Sequence, residues 1–279
     1  MIKSALKKIL PRPVLASLNR TVRFAIPDMV DAVTGRRDPV IPPRRKIFIG
    51  NGDVKKVGDE FMGIFRNIGG LRPGDAVLDI GCGIGRMSRP LTAYLAGGGS
   101  YEGFDIDKDG VEWCKANVTP RFPHFRFQVA DIYNKYYNPK GRHKGEEYRF
   151  PFEDNTFDFA FLTSVFTHML PGEVGNYLGE IARVLKPGGR CLMSYFIWNG
   201  EAATLEGAGK SAITFPHAHG IYRLKDKDFP EHAVAYDEVN LKEMIARTGL
   251  AIQAPIRYGS WCGRKEFTSF QDLILAVKT

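Results

Sequence analysis

The chain has 279 residues, 44% of them hydrophobic and 25% charged, with a net charge of +8. These proportions fit one globular domain with elaborations and exclude a low-complexity or fibrous chain. No apolar run reaches the length of a bilayer crossing, and Met1-Ile2-Lys3 leads into no long apolar core with a small-residue cleavage site, so a cytoplasmic protein without a secretory leader is expected.

The charge is unevenly placed. Residues 1–46 hold eleven Lys or Arg against Asp28, Asp31 and Asp38, which is the whole net charge of +8, so residues 47–279 are formally neutral. Within this basic arm, Ile2, Leu6, Ile9 and Leu10 could share one face of a helix over Met1 to Leu10. Pro11 and Pro13 end it, a second apolar and basic stretch runs from Val14 to Val33, and Pro39, Pro42 and Pro43 form a linker. Two readings stay open: an arm packed on its own domain, or an interfacial helix drawn to anionic lipid at the inner membrane surface. A nucleic-acid arm is disfavoured, because Phe24 is its lone aromatic.

From Asp53 to Gly69 the pattern predicts a helix with Phe61, Ile64, Phe65 and Ile68 on one face. Strands follow near 76–80, 100–105, 125–130, 157–162, 189–197, 251–259 and 270–277, with helices near 84–95, 108–117, 172–185 and 238–248. Strands separated by helices pair in parallel, which predicts an α/β fold: a doubly wound, Rossmann-like seven-stranded sheet with helices on both faces. The last two strands have no helix between them and should form a hairpin, making the last strand antiparallel. Residues 47–279 thus read as one domain with two insertions, at about 133–149 and 199–235, of the kind that builds substrate sites at a sheet's carboxyl edge.

The most telling stretch is Val77-Leu78-Asp79-Ile80-Gly81-Cys82-Gly83-Ile84-Gly85-Arg86. A buried strand runs into three alternating glycines, a turn that lets a nucleotide-like ligand lie against bare backbone at a helix N-terminus. The dinucleotide fingerprint wants Gly or Ala where Arg86 stands, or Ser88 in the alternative register, which disfavours a dehydrogenase. Asp79 would repel a pyrophosphate and attract an ammonium, as in S-adenosylmethionine.

These residues resemble the signature of the class I S-adenosylmethionine-dependent methyltransferases. The resemblance continues through Tyr101–Ile106, Phe127–Ile132, Phe157–Leu162 and Arg183–Gly189, and covers roughly residues 55–198. It implies cofactor binding by Asp79, Gly81, Cys82, Gly83, Gly85 and Arg86. Asp79 would take the methionine ammonium and Arg86 the carboxylate. Asp105 would accept from both ribose hydroxyls, Asp107 being its rival or a helix cap. Asp131 would read the adenine amino group, with Ile106 and Ile132 on either side of the ring and Ser164 near the methionine moiety. S-adenosylhomocysteine is the implied product.

For the acceptor, His168 follows the fourth strand and is the candidate general base, or else a histidine bonded to a loop carbonyl. Tyr195, Trp198, His217, His219 and Tyr222 are candidate pocket walls for a sugar or ring. His217 and His219 lack the carboxylate pattern of a metal site, and Cys82, Cys114, Cys191 and Cys262 form no C-x-x-C pair, so no metal is expected. The expected activity is O-methylation of a small molecule or lipid-linked saccharide. The alternatives are N-methylation of an amino sugar or small amine, and a non-catalytic cofactor-binding module.

Overall fold

The computed structural model describes residues 12–35, 38–47, 53–135 and 138–279. The amphipathic Met1–Leu10 segment and residues 48–52 lie outside them. Helix α1 (Arg12–Thr34) is followed by a 3-10 turn, Arg44–Lys46, and by α2 (Val54–Asn67). Asp53 starts α2 as its N-cap, accepting from the backbone N–H of Lys55 at 2.8 Å.

The central sheet contains β1 (Ala76–Ile80), β2 (Ser100–Asp105), β3 (Phe125–Val129), β4 (Phe157–Leu162) and β5 (Leu185–Tyr195), completed by the C-terminal pair. The connecting helices are α3 (Ser88–Tyr94), α4 (Lys108–Asn117) and α5 (Pro171–Val184). Later come β6 (Ile197–Trp198), α6 (Gly200–Gly207), β7 (His217–His219), β8 (Tyr222–Leu224), β9 (Val234–Asp237), α7 (Glu238–Ala246), β10 (Leu250–Arg257) and β11 (Asp272–Lys278). The sheet order is β10-β11-β5-β4-β1-β2-β3. Strands β1 to β5 pair in parallel, and β11 runs antiparallel to both β10 and β5, as the missing helix predicts.

Alternation along the central strands explains the two-faced core. Val77, Phe159 and Phe161 pack with Phe61, Ile64, Phe65 and Leu91 on one side. Leu78, Ile80, Ala160 and Leu162 pack with Val174, Leu178 and Ile181 of α5 on the other. Phe65 seats against Phe161 with ring centroids 4.3 Å apart. Helix α3 begins at Ser88 rather than near residue 84, because Gly81, Gly83 and Gly85 all hold positive φ and the chain is still turning.

The long insertion is not the open loop its composition predicts. It folds α6 and a second sheet, ordered β6-β9-β8-β7, over a small core of Phe196, Phe215 and Trp261. Strands of two to four residues carry too little alternation to be read in advance. Asp272 at the start of β11 ties this sheet to the first. It accepts from Ile197 N at 2.6 Å, Gly259 N at 2.6 Å, Trp261 Nε1 at 2.7 Å and Arg264 Nη1 at 3.1 Å, wholly buried.

Stripping one partner from a buried charge pair leaves the other uncompensated. Asp272→Ala should therefore lower the unfolding free energy by about 3–5 kcal/mol, read as a lower guanidinium midpoint with an unchanged slope. A change below about 1 kcal/mol would mean that Asp272 and Arg264 act like an exposed pair.

Candidate functional site

A cavity opens at the carboxyl ends of β1, β2 and β4, where the loops of a doubly wound sheet converge. Its wall contains Gly81, Cys82, Gly83 and Arg86 after β1, Asp105, Ile106 and Asp107 after β2, Ile132 after β3, and Ser164 and His168 after β4.

The glycine loop has a mechanical reason to be glycine. Gly81 has φ +85°, and a Cβ there would fall inside the Val165 side chain. Gly83, at φ +50°, would point a Cβ to 3.8 Å from Asp105 Oδ2, into the space beside that carboxylate. Gly85 would set one 2.8 Å from Cys114 Sγ, which closes α4 against the loop. The loop is clamped to β2: Gly81 N and Cys82 N donate to the Phe104 carbonyl at 2.9 and 3.1 Å, and Gly83 N donates to Asp105 Oδ2 at 2.6 Å. Asp105 Oδ1 accepts from Asp107 N at 2.7 Å. Burial pushes the Asp105 carboxyl above its ordinary range, against these backbone N–H donors.

Asp79 is buried one residue behind the lining residues Ile80 and Gly81. Tyr101 donates to its Oδ2 at 2.6 Å, while Oδ1 is buried with no hydrogen-bond partner. Burial raises its pKa to about 7, opposed first by the Tyr101 hydroxyl. Burial also lowers the pKa of Arg86, whose charge Asp79 partly restores. Asp107 stands at the N-cap position of α4 but makes no capping bond, and burial lifts it to about 6.

A bound S-adenosylmethionine would fit these groups. The orphaned Asp79 oxygen calls for a cation or donor such as the methionine ammonium. The side-chain-free surface at Gly83 beside Asp105 suits a ribose. Arg86 supplies the cation for a carboxylate.

Other sequence candidates lie elsewhere. Gly85 shapes the loop without lining the cavity. Asp131 does not line it either, and its carboxylate is paired with the Arg142 guanidinium. Tyr195 is fully buried, stacked on Phe166 at 5.1 Å. Trp198, His217, His219 and Tyr222 belong to the second sheet and do not line the cavity: Arg223 covers the Trp198 ring at 4.3 Å, and His219 stacks on Tyr222 at 5.3 Å. Among the described residues no group of three or more His, Cys, Asp or Glu could hold a metal.

Sequence reasoning missed Glu173 and Tyr177 on α5, which line the cavity, and Tyr133, Asn134 and Gly145 from the shorter insertion. Glu173 also holds the start of α5, where its Oε2 accepts from Leu170 N at 2.8 Å. Ser164 holds φ +62°, rare for a side-chain-bearing residue, with its N–H donating to Ser194 Oγ at 2.8 Å and its Oγ to Gln271 Oε1 at 3.0 Å.

If the ammonium is the missing partner of Asp79, ligand binding requires the carboxylate. Because the free group titrates at about 7, calorimetric affinity for S-adenosylhomocysteine should fall as the pH drops below that value. The fall should approach tenfold per pH unit at most, and it should flatten in Asp79→Asn. A profile that slopes equally in that variant would assign the dependence to another group, such as Asp107.

Residues 78–193 match the family described as "Methyltransferase domain". Over 120 residues the chain is 33% identical to the sterol 24-C-methyltransferase of Schizosaccharomyces pombe, a stretch covering 43% of this chain and 27% of that protein. The chain spans less than half the length of the curated relatives it matches. Among solved structures, a Pyrococcus horikoshii OT3 protein superposes with TM-score 0.57 at 18% identity, covering 88% of this chain and 97% of that one. The 1,6-didemethyltoxoflavin-N1-methyltransferase of Burkholderia thailandensis, solved with its substrate and S-adenosylhomocysteine, superposes with TM-score 0.52 at 19% identity, covering 97% and 91%. At these identities the structural likeness speaks to the fold, and the family match speaks to the stretch from β1 to β5 that builds the glycine loop. The similarity to a methyltransferase domain thus falls on residues 78–193, the stretch that carries the glycine loop, the buried Asp79 and the Asp105 clamp.

Proposed function

We propose that the protein transfers a methyl group from S-adenosylmethionine to a hydroxyl of an apolar small molecule, with His168 as the base. The observation that carries this reading is His168 itself. It ends the 3-10 turn Phe166–His168 after β4 and lines the cavity that holds Asp105 and the glycine loop. Its Nδ1 lies 2.8 Å from the Glu231 carbonyl. A carbonyl only accepts, so Nδ1 carries the proton and Nε2 is the basic nitrogen. Burial holds the ring's pKa below its ordinary value, opposed by the Glu231 carbonyl, which keeps the imidazole neutral at pH 7.

When bound, the cofactor supplies an electrophilic methyl on a sulfonium. The chain's own work is to align, to keep water out and to accept a proton. Alignment rests on the Asp105 clamp and the Gly81–Gly85 turn. Water is limited by apolar walls that include Ile80, Met87, Phe104, Ile132, Val165 and Met169.

The acceptor reading follows those walls. Tyr195, Trp198 and Tyr222, the aromatics that would have stacked on a sugar, do not reach the cavity, so the saccharide reading loses its support. An apolar acceptor agrees with the sterol named for the Schizosaccharomyces pombe relative. N-methylation is the second reading, favoured by one feature: the Glu173 carboxylate in the cavity wall could accept from an amine's N–H.

His168→Ala should cut turnover by about 10²–10⁴ while leaving S-adenosylhomocysteine affinity nearly intact. Near-normal turnover at neutral pH would remove the base and shift the reading to an amine acceptor.

A further inference from the structure

Helix α1 carries an apolar stripe that nothing in the described structure covers. Val22, Ile26, Met29 and Val33 are 72%, 69%, 60% and 83% exposed. Their spacing of four, three and four residues puts them on one face, a row of about 17 Å at 1.5 Å per residue. Val30 borders the row and is also exposed. A contiguous exposed apolar row of this kind marks an interaction site.

Its surroundings say what would cover it. The two acids of this helix are turned to the opposite side and already engaged. Asp28 is buried and accepts from Arg44 N at 2.8 Å and Arg45 N at 3.2 Å. Asp31 pairs with the Arg44 guanidinium at 2.6 Å. Arg23 stands exposed at the edge of the stripe. Residues 1–46 carry eleven Lys or Arg against three Asp, while the rest of the chain is neutral. An apolar row within a cationic segment is complementary to an anionic lipid surface, where the row enters the acyl boundary and the cations meet the headgroups. Among the described residues no helix is long and apolar enough to cross a membrane, so the helix would lie in the interface.

The place of the arm adds a consequence. The segment leaving it meets the cavity wall at Ile47, and α2 begins at Val54 on the same wall. We infer that α1 docks the protein on an anionic membrane through Val22, Ile26, Met29 and Val33, with the cavity next to the docked arm. This docking does not depend on methyl transfer, and it would let an apolar acceptor enter from the lipid phase.

Vesicle sedimentation of the full chain tests it, using phosphatidylcholine vesicles with and without phosphatidylglycerol. Wild type should pellet with the anionic vesicles alone and release as salt rises. Ile26→Asp combined with Met29→Asp should reduce the bound fraction about tenfold or more, with circular dichroism and S-adenosylhomocysteine affinity unchanged. Both positions are exposed and neither lines the cavity, so cofactor affinity reports folding independently of docking. Equal binding to both vesicle types, no pelleting, or a double variant that pellets like wild type would overturn the inference. So would a wild-type dimer in light scattering that becomes monomeric in the variant without any vesicle binding, because the stripe would then be a self-association face.

Discussion

The structure turns on one carboxylate. Asp105 sits at the carboxyl end of β2 and spends both oxygens on backbone N–H groups, Gly83 on one side and Asp107 on the other. One side chain thereby fixes the loop after β1 and the entry to α4. The parallel register of β1 and β2 delivers the two ends side by side, Ile80 opposite Phe104, and the Phe104 carbonyl takes the first two loop amides. A glycine loop free to move would present a disordered surface to a ligand, and paying that ordering entropy at each encounter would weaken binding. Here folding has already done the ordering.

Electrostatics reinforce the geometry. The Asp105 charge raises the pKa of both Asp79 and Asp107 in addition to the effect of burial. Crowding three acids at the end of a sheet destabilises the free protein, and that tension is relieved by a cation. Arg86 meets part of the need from within the chain. One Asp79 oxygen stays buried without a hydrogen-bond partner. Local strain follows the same pattern: Ser164 holds its positive φ at the cavity wall and is pinned by hydrogen bonds to Ser194 and Gln271.

The second sheet has a different task from the one its position in the sequence suggests. None of residues 199–235 lines the cavity. Instead they brace the segment that does. The Glu231 carbonyl orients the His168 ring, and Tyr236 Oη donates to the Met169 carbonyl at 2.7 Å. Asp272 anchors this brace to the central sheet through four hydrogen bonds. The central sheet and its glycine loop were legible in advance; the bracing role of the second sheet was not. Apolar runs separated by helical segments pointed to the seven strands, and the glycine trio singled out the loop after β1, because both depend on local backbone chemistry. What local sequence could not convey was which way long-range packing would turn a side chain. Tyr195 looks like a pocket wall but alternates into the core against Phe166. Asp131 has the spacing of an adenine reader, yet Arg142, eleven residues on, takes its carboxylate. Glu173 lines the cavity while its Oε2 accepts from Leu170 N at the start of α5, a double part that helix periodicity does not reveal.

The most direct test of this account is a calorimetric titration of wild type and Asp105→Ala with S-adenosylhomocysteine. The carboxylate orders the loop and, in the proposed reading, also meets the ribose hydroxyls. Losing one charge-assisted hydrogen bond weakens binding by about 1.5–3 kcal/mol, so the variant should bind at least tenfold more weakly with its fold intact by circular dichroism. Equal affinity in the two proteins would contradict the central claim that Asp105 builds the cofactor site.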